Sequence, residues 1–322
     1  MEILKLRNTS KSTKALKAKK RVKAGDVEQA TVKSTIKAYM YLLPALLVLM
    51  TFNIYPIFRS FIMAFQVDYN FFTREVHAYG FDNFVYLMND ESFALAITNT
   101  LSFVIGMVPA SIIISLCIAL MLNSKIKGTT IFRSIYFLPF VTSVVAIASV
   151  WNFIFHTHSG ILNYIIGLLG FERIGWLTDP EHSMTALVIM SVWRSLGFNI
   201  VILLAGLQGV NQQLYLAAKV DGANKWHQFL TVTLPQLSPT IFFISIMSVI
   251  SSFRIFTEVF ALFNGRPGPG QSTLTVVFYV FQKFYEEWRF GVASAAAVVL
   301  FGIILLITMV QMYVGKKFVH YN

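Results

Sequence analysis

Charge is scarce in this chain and cysteine almost absent. Only 13% of its 322 residues are charged, with 15 acids against 26 Lys and Arg. The single Cys117 excludes an internal disulfide framework and a cysteine-based metal site. Nucleotide fingerprints are missing: neither G-x-x-x-x-G-K-[ST] nor a strand-borne G-x-G-x-x-G occurs. H-E-x-x-H and the G-x-S-x-G elbow are absent as well. His156, His158 and His182 have no further ligands at zinc spacing, so no metal site is expected. An enzyme in a membrane needs clustered ionisable or nucleophilic groups facing a cavity. The apolar runs of this chain hold too few of them, so no catalytic residues are expected.

What is present is apolar. Hydrophobic residues make up 56% of the chain, thirty of them Phe, and the mean hydropathy is +0.65. Runs of about 20 apolar residues are long enough to cross a bilayer as helices. Six such runs stand out, at about Ala38–Phe65, Ala94–Leu122, Ile131–Phe155, Ser183–Leu207, Gln236–Phe263 and Gly291–Val314. Open sheet edges are not tolerated in lipid, so the fold class is an all-α membrane protein of six transmembrane helices.

Basic residues orient those helices. The first 37 residues carry eleven Lys and Arg against three acids, and they lack the apolar core and A-x-A site of a cleavable signal peptide. Lys125, Lys127, Arg133, Lys219, Lys225, Lys316 and Lys317 fall on the same side, and the opposite loops hold ten acids. The positive-inside rule then puts both termini in the cytoplasm. The expected layout is a basic cytoplasmic tail over 1–37 and a membrane domain over 38–322, with a cytoplasmic loop at about 210–235. A nucleic-acid partner would also suit the pI near 9.7. Membrane orientation already accounts for the net charge of +11, so no nucleic acid is expected.

One polar stretch stands between the fourth and fifth runs. Residues 215–239 read YLAAKVDGANKWHQFLTVTLPQLSP. Ala217, Ala218 and Ala223 are small enough for a helix to sit deep in a partner's groove. Asp221-Gly222 allows a sharp turn between two short helices. Leu234-Pro235 restarts a helix where the missing proline N–H is harmless. The pattern fits a rigid docking hook, or equally an ordinary loop with an interfacial helix.

The stretch resembles the E-A-A-x-x-D-G-A loop of permease subunits in binding-protein-dependent ABC importers, through Leu216, Ala217, Ala218, Asp221, Gly222, Ala223, Trp226, Phe229, Val232, Leu234, Pro235 and Pro239. Three further segments follow the family's patterns. Residues 132–155 resemble R-x-x-Y-F-L-P-x-x-x-S-x-V-A-x-x-x-W-x-x-I-F, and 192–208 resemble V-W-x-x-x-G-F-x-x-x-x-x-x-A-G-L-Q. Thr273–Tyr279 is similar to T-x-T-x-x-x-Y after a Gly/Pro loop. The type I carbohydrate-uptake permeases, of the maltose and glycerol-3-phosphate kind, are the subfamily most like it. The resemblance implies a second permease subunit, two ATP-binding subunits, an extracellular solute-binding protein and a bacterial cell membrane. It implies no cofactor on this chain, since ATP and Mg would be used by the partner ATPase. Two positions depart from the pattern. Leu216 stands where an acid pairs with the ATPase, and Phe256-Thr257 with Gly265-Arg266-Pro267 replace F-D and G-G-P.

Candidates for a translocation path are Ser248, Ser251, Ser252, Arg254 and Phe256. Serines in membrane helices equally serve packing. Arg254 and Glu258, four apart, are expected to pair on one helix face. Trp151, Trp193 and Tyr285 suit sugar stacking or the interfacial aromatic belt. The leading reading is a sugar-uptake permease; the alternatives are a glycerol-3-phosphate or polyol permease and a non-transport membrane scaffold.

Overall fold

The computed structural model describes residues 32–69, 72, 73, 75–123 and 129–318. Most of the basic tail therefore lies outside the described residues. The chain forms two compact units, Met1–Arg59 and Ser60–Asn322.

In the first unit, helix α1 (Val32–Leu49) contains Pro44 and leads into a π turn at Met50–Ile54. The reason is Pro56. A proline ring crowds the carbonyl four residues back and supplies no N–H. Widening the preceding turn relieves the crowding, and the Tyr55 amide donates to the Met50 carbonyl instead. The helix then resumes as α2 (Tyr55–Ala64). The apolar stretch Thr35–Ala64 has no buried residue in its most hydrophobic window.

The second unit opens with a minimal antiparallel ribbon, β1 (Gln66–Val67) against β2 (Ala78–Tyr79). Helices α3 (Asp82–Asn89) and α4 (Glu91–Leu122) follow, and Asp90 caps α4 by accepting from the Ser92 amide at 2.9 Å. Next come α5 (Thr129–Val141), α6 (Val144–Ile154), α7 (Ile161–Leu168) and α8 (Pro180–Gly209). The chain continues through α9 (Gln212–Val220), α10 (Lys225–Gln228), α11 (Leu234–Phe253), α12 (Thr257–Leu262) and α13 (Val276–Phe281) to α14 (Phe290–Phe318).

Helices α4 and α8 pack together as the centre of the bundle, with α5 and α11 against them. Burial follows this order: 56% of the apolar window of α8 is buried, but only 22% of the window in Lys225–Phe253. Gly197 of α8 permits the closest crossing. A Cβ there would stand 2.5 Å from the Tyr136 carbonyl oxygen of α5. In α14 the small-residue start is inward, with Ala293, Ala295 and Ala296 buried.

Among the described residues, five helices are long and apolar enough to cross a membrane, and a sixth crossing exists if α5 and α6 count as one. That pair corrects the expectation of a straight third run, because its halves meet at 101°. The break follows Pro139, at Thr142 and Ser143, where Ser143 has an extended ψ of 131°. The fifth run is corrected at both ends. Its helix starts at Lys225, passing through a π turn at Phe229–Thr233, and stops at Phe253. Leu234-Pro235 therefore does not restart a helix. Its proline is accommodated as Pro56 is, with the Leu234 amide donating to the Phe229 carbonyl. The stop at Phe253 is stabilised from outside, where Thr275 Oγ1 donates to the freed Ile255 carbonyl at 3.0 Å.

Candidate functional site

Two places concentrate polar groups in an arrangement that can act on something else. The first is the 210–235 loop. Asn211 caps α9 by accepting from the Gln213 amide at 2.9 Å. Helix α9 ends in a Schellman turn: the Ala223 amide reaches the Ala218 carbonyl at 2.9 Å and the Gly222 amide the Lys219 carbonyl at 3.1 Å. Such a turn needs a left-handed residue, and Gly222 has φ +77°. Asn224 then caps α10 through the His227 amide at 2.8 Å. Gln228 Nε2 donates to the Ala223 carbonyl at 2.8 Å. The hydroxyls of Tyr215 and Thr233 meet at 2.9 Å, tying α9 to the foot of α11.

These bonds hold α9 and α10 at an angle around an open groove of about 630 Å³. Ala217, Ala218, Asp221, Gly222 and Ala223 line it, beside His227. Leu234 and Pro235 lie outside the groove, in the helix below it. Leu216 is 62% exposed and Val220 88% exposed, so α9 offers an apolar outer edge where the pattern has an acid.

The second place is a half-open cavity of about 250 Å³ lined by α4, α5, α8, α11 and the start of α12. Ser248, Ser251 and Ser252 line it. Facing them on α8 are Ser191, Arg194, Ser195, Phe198 and Asn199. Arg194 Nη1 donates to Glu258 Oε1 at 3.0 Å, with side chains 29% and 16% exposed. The expected Arg254–Glu258 pair is thereby corrected. The helix breaks between the two residues, so they no longer share a face, and Glu258 turns to α8. Arg254 is exposed outside the cavity, and Phe256 packs among Phe260, Phe278 and Phe281. Among the described residues, Ser191 Oγ, Arg194 Nε and Asn199 Nδ2 are buried without a hydrogen-bond partner.

Sequence reasoning missed the α8 half of this cavity. Its signal was present: Ser191, Arg194/Ser195 and Asn199 repeat at helical spacing and form one polar stripe in an apolar helix. Trp151 and Trp193 do not line the cavity; their rings pack edge-on at 5.6 Å. Tyr285 stacks among Phe281 and Phe284 at an exposed position. At the start of α8, ligand-type atoms of Asp179, Glu181 and His182 lie within 4.8 Å of one another. Asp179 is already engaged there as the helix cap, accepting from the Glu181 amide.

A third cluster, at the α4 N-terminus, is structural. Tyr279 donates to Asp90 Oδ2 at 2.7 Å, and Lys283 Nζ lies 3.6 Å from the same oxygen and 2.8 Å from Glu287. Burial alone would raise the Asp90 pKa, but the Tyr279 hydroxyl, the Ser92 amide and Lys283 outweigh it and hold the carboxyl below its usual value. Burial would lower the Lys283 pKa, but Glu287 and Asp90 keep the ammonium above its usual value.

A helical bundle with a grooved loop at one end of a helix and a polar cavity near the other defines an integral membrane transport component. Residues 107–320 match the family described as binding-protein-dependent transport system inner membrane component, and the chain belongs to that family. It is similar to the lactose transport system permease protein LacF of Rhizobium radiobacter, 32% identical over 89% of this chain and 98% of the relative. The arabinooligosaccharides transport system permease protein AraP of Bacillus subtilis is 34% identical, over 87% of this chain and 88% of AraP. The trehalose/maltose transport system permease protein MalF of Thermococcus litoralis is 31% identical, over 86% of this chain and 93% of MalF. A solved bacterial ABC transporter involved in the import of the acidic polysaccharide alginate shares the fold, with a TM-score of 0.75 at 25% identity, covering 89% of this chain and 97% of that one. The fold is that of the type I importer permeases.

Proposed function

We propose that this chain is one permease subunit of an ATP-driven importer that takes up a sugar, in oligosaccharide form, delivered by an extracellular binding protein. The observation that carries the reading is the cavity. Serine hydroxyls and unpaired donors set beside Phe faces suit a ligand with many hydroxyls and an apolar ring face. Likeness to lactose, maltose and arabinooligosaccharide permeases over nearly the whole chain supports the same substrate class. A phosphorylated polyol fits less well, because among the described residues Glu258 already neutralises the one cation lining the cavity.

The coupling route is physical. Lys225–Phe253 runs as one helix from the groove to the cavity. His227 at the groove and Ser248 at the cavity stand about 30 Å apart along it, at 1.5 Å per residue. Two ATP-binding subunits would grip the groove through Ala217, Ala218, Asp221, Gly222 and Ala223. Their closure on ATP would tilt the lever and change access to the serines. A second permease subunit completes the pathway, the hooks face the cytoplasm, and both termini lie on that side. The lever acts only if the grip differs between the two nucleotide states.

The test is reconstitution. A Walker-motif ATPase and a second permease are expected to copurify from detergent-solubilised membranes. Vesicles holding the assembly and its binding protein should accumulate labelled lactose, maltose or arabinotriose only with ATP. Uptake that ignores ATP would reject the reading.

A further inference from the structure

The cavity carries two ionisable groups, Arg194 and Glu258, and they face each other at 3.0 Å. Arg194 lies at the midpoint of a 30-residue membrane helix, where an unneeded charge is selected against. A partly buried ion pair is weak evidence for stability, since an apolar pair of equal volume often serves as well. Its presence in the wall of a cavity calls for another account. The same fold occurs in an importer of an acidic polysaccharide, whereas lactose and arabinooligosaccharide permeases are relatives of this chain. The fold therefore does not set the charge of the cargo, and the lining side chains must.

We propose that the Arg194–Glu258 pair is a specificity determinant that keeps the cavity electrically neutral and so excludes anionic sugars. This rests on the reading of the cavity as the sugar path. In the intact pair, Glu258 neutralises the guanidinium and occupies the Nη1 donor that a sugar carboxylate would take. The remaining donors, Arg194 Nε and Asn199 Nδ2, are left for neutral hydroxyls. Without Glu258 the guanidinium is free to bind a sugar carboxylate in the paired geometry that Arg favours.

The experiment is equilibrium dialysis on the purified, assembled complex without binding protein. The probes are a labelled neutral disaccharide (lactose, maltose or trehalose) and the same sugar oxidised to the uronate at C6 of its non-reducing hexose. The native complex should prefer the neutral sugar. Glu258→Gln should shift the ratio toward the uronate by about tenfold or more. The double variant Arg194→Gln with Glu258→Gln should restore the native preference. If Glu258→Gln does not assemble, Ser251→Lys adds a positive charge to the wall with the pair intact and should produce the same shift. An unchanged ratio in whichever of these variants assembles overturns the proposal. Ser251→Trp separates this from failure of the underlying reading. If it leaves neutral-sugar binding intact, the cavity is not the sugar path. If it abolishes that binding and the ratio still does not respond to charge, only the specificity assignment falls.

Discussion

The groove and the cavity are opposite solutions to holding polar groups in a membrane protein. The groove is built from one continuous segment and sits at the surface. Its shape is fixed by two asparagine side-chain caps, a Schellman turn and one hydroxyl pair, all within residues 211–233. The cavity is built from helices distant in sequence and is half-open. It leaves several donors unpaired and holds one ion pair bridging residues 64 apart. A coupling surface needs a stiff shape that changes little under load. A transport cavity needs groups whose hydrogen bonds are incomplete until a ligand supplies them.

The sharpest way to break this comparison is Gly222→Pro. Proline cannot adopt φ +77° and removes the amide that reaches Lys219. ATP-driven uptake should fall to background while membrane insertion, read by the yield of folded protein in detergent, stays near wild type. Normal uptake would show that the groove is not a coupling element. The cavity should behave in the reverse way. Arg194→Ala leaves a carboxylate unpaired in a half-open site; breaking a fully buried pair destabilises by about 3 kcal/mol, and this pair, 29% and 16% exposed, by less. The melting temperature should drop, with Glu258→Ala added on the same chain recovering most of the loss. No recovery would mean that the two side chains are not energetically paired.

The Asp90–Lys283 cluster sharpens the contrast through pH. Asp90 has a folded pKa below its unfolded value of about 3.9. Its contribution is therefore present above about pH 4 and lost as pH falls through the folded pKa. The folded pKa of Lys283 is raised, so its contribution is complete below about pH 10 and is lost as pH rises through the folded value. The contribution of this cluster should be flat between these limits, and Asp90→Asn should remove its acid limb and, by taking away one of the acids beside Lys283, shrink the alkaline limb as well. The smallest effect belongs to Tyr215→Phe, which removes one partly buried hydroxyl pair worth about 1 kcal/mol. It should loosen the hook and lower ATP-coupled uptake modestly, leaving sugar binding to the cavity unchanged.

Much of this was legible before any coordinates. Asp221-Gly222 marks a turn because glycine alone enters the left-handed region freely. Reading Arg254 with Glu258 went astray because four-residue spacing pairs side chains only while the helix continues, and here it stops at Phe253. Likewise Leu234-Pro235 looks like a helix start until the π turn before it is seen to carry the helix through.

The sequence by itself determined the membrane class, the approximate spans and the Asp221-Gly222 turn, because each rests on local composition or on the preference of single residues. Only the tertiary structure decided that Glu258 faces Arg194, that α8 completes the serine-lined cavity, and that one helix joins groove to cavity. Those facts depend on which helix faces turn toward each other and how the chain is bent at Ser143 and Phe253. Packing of distant segments sets both.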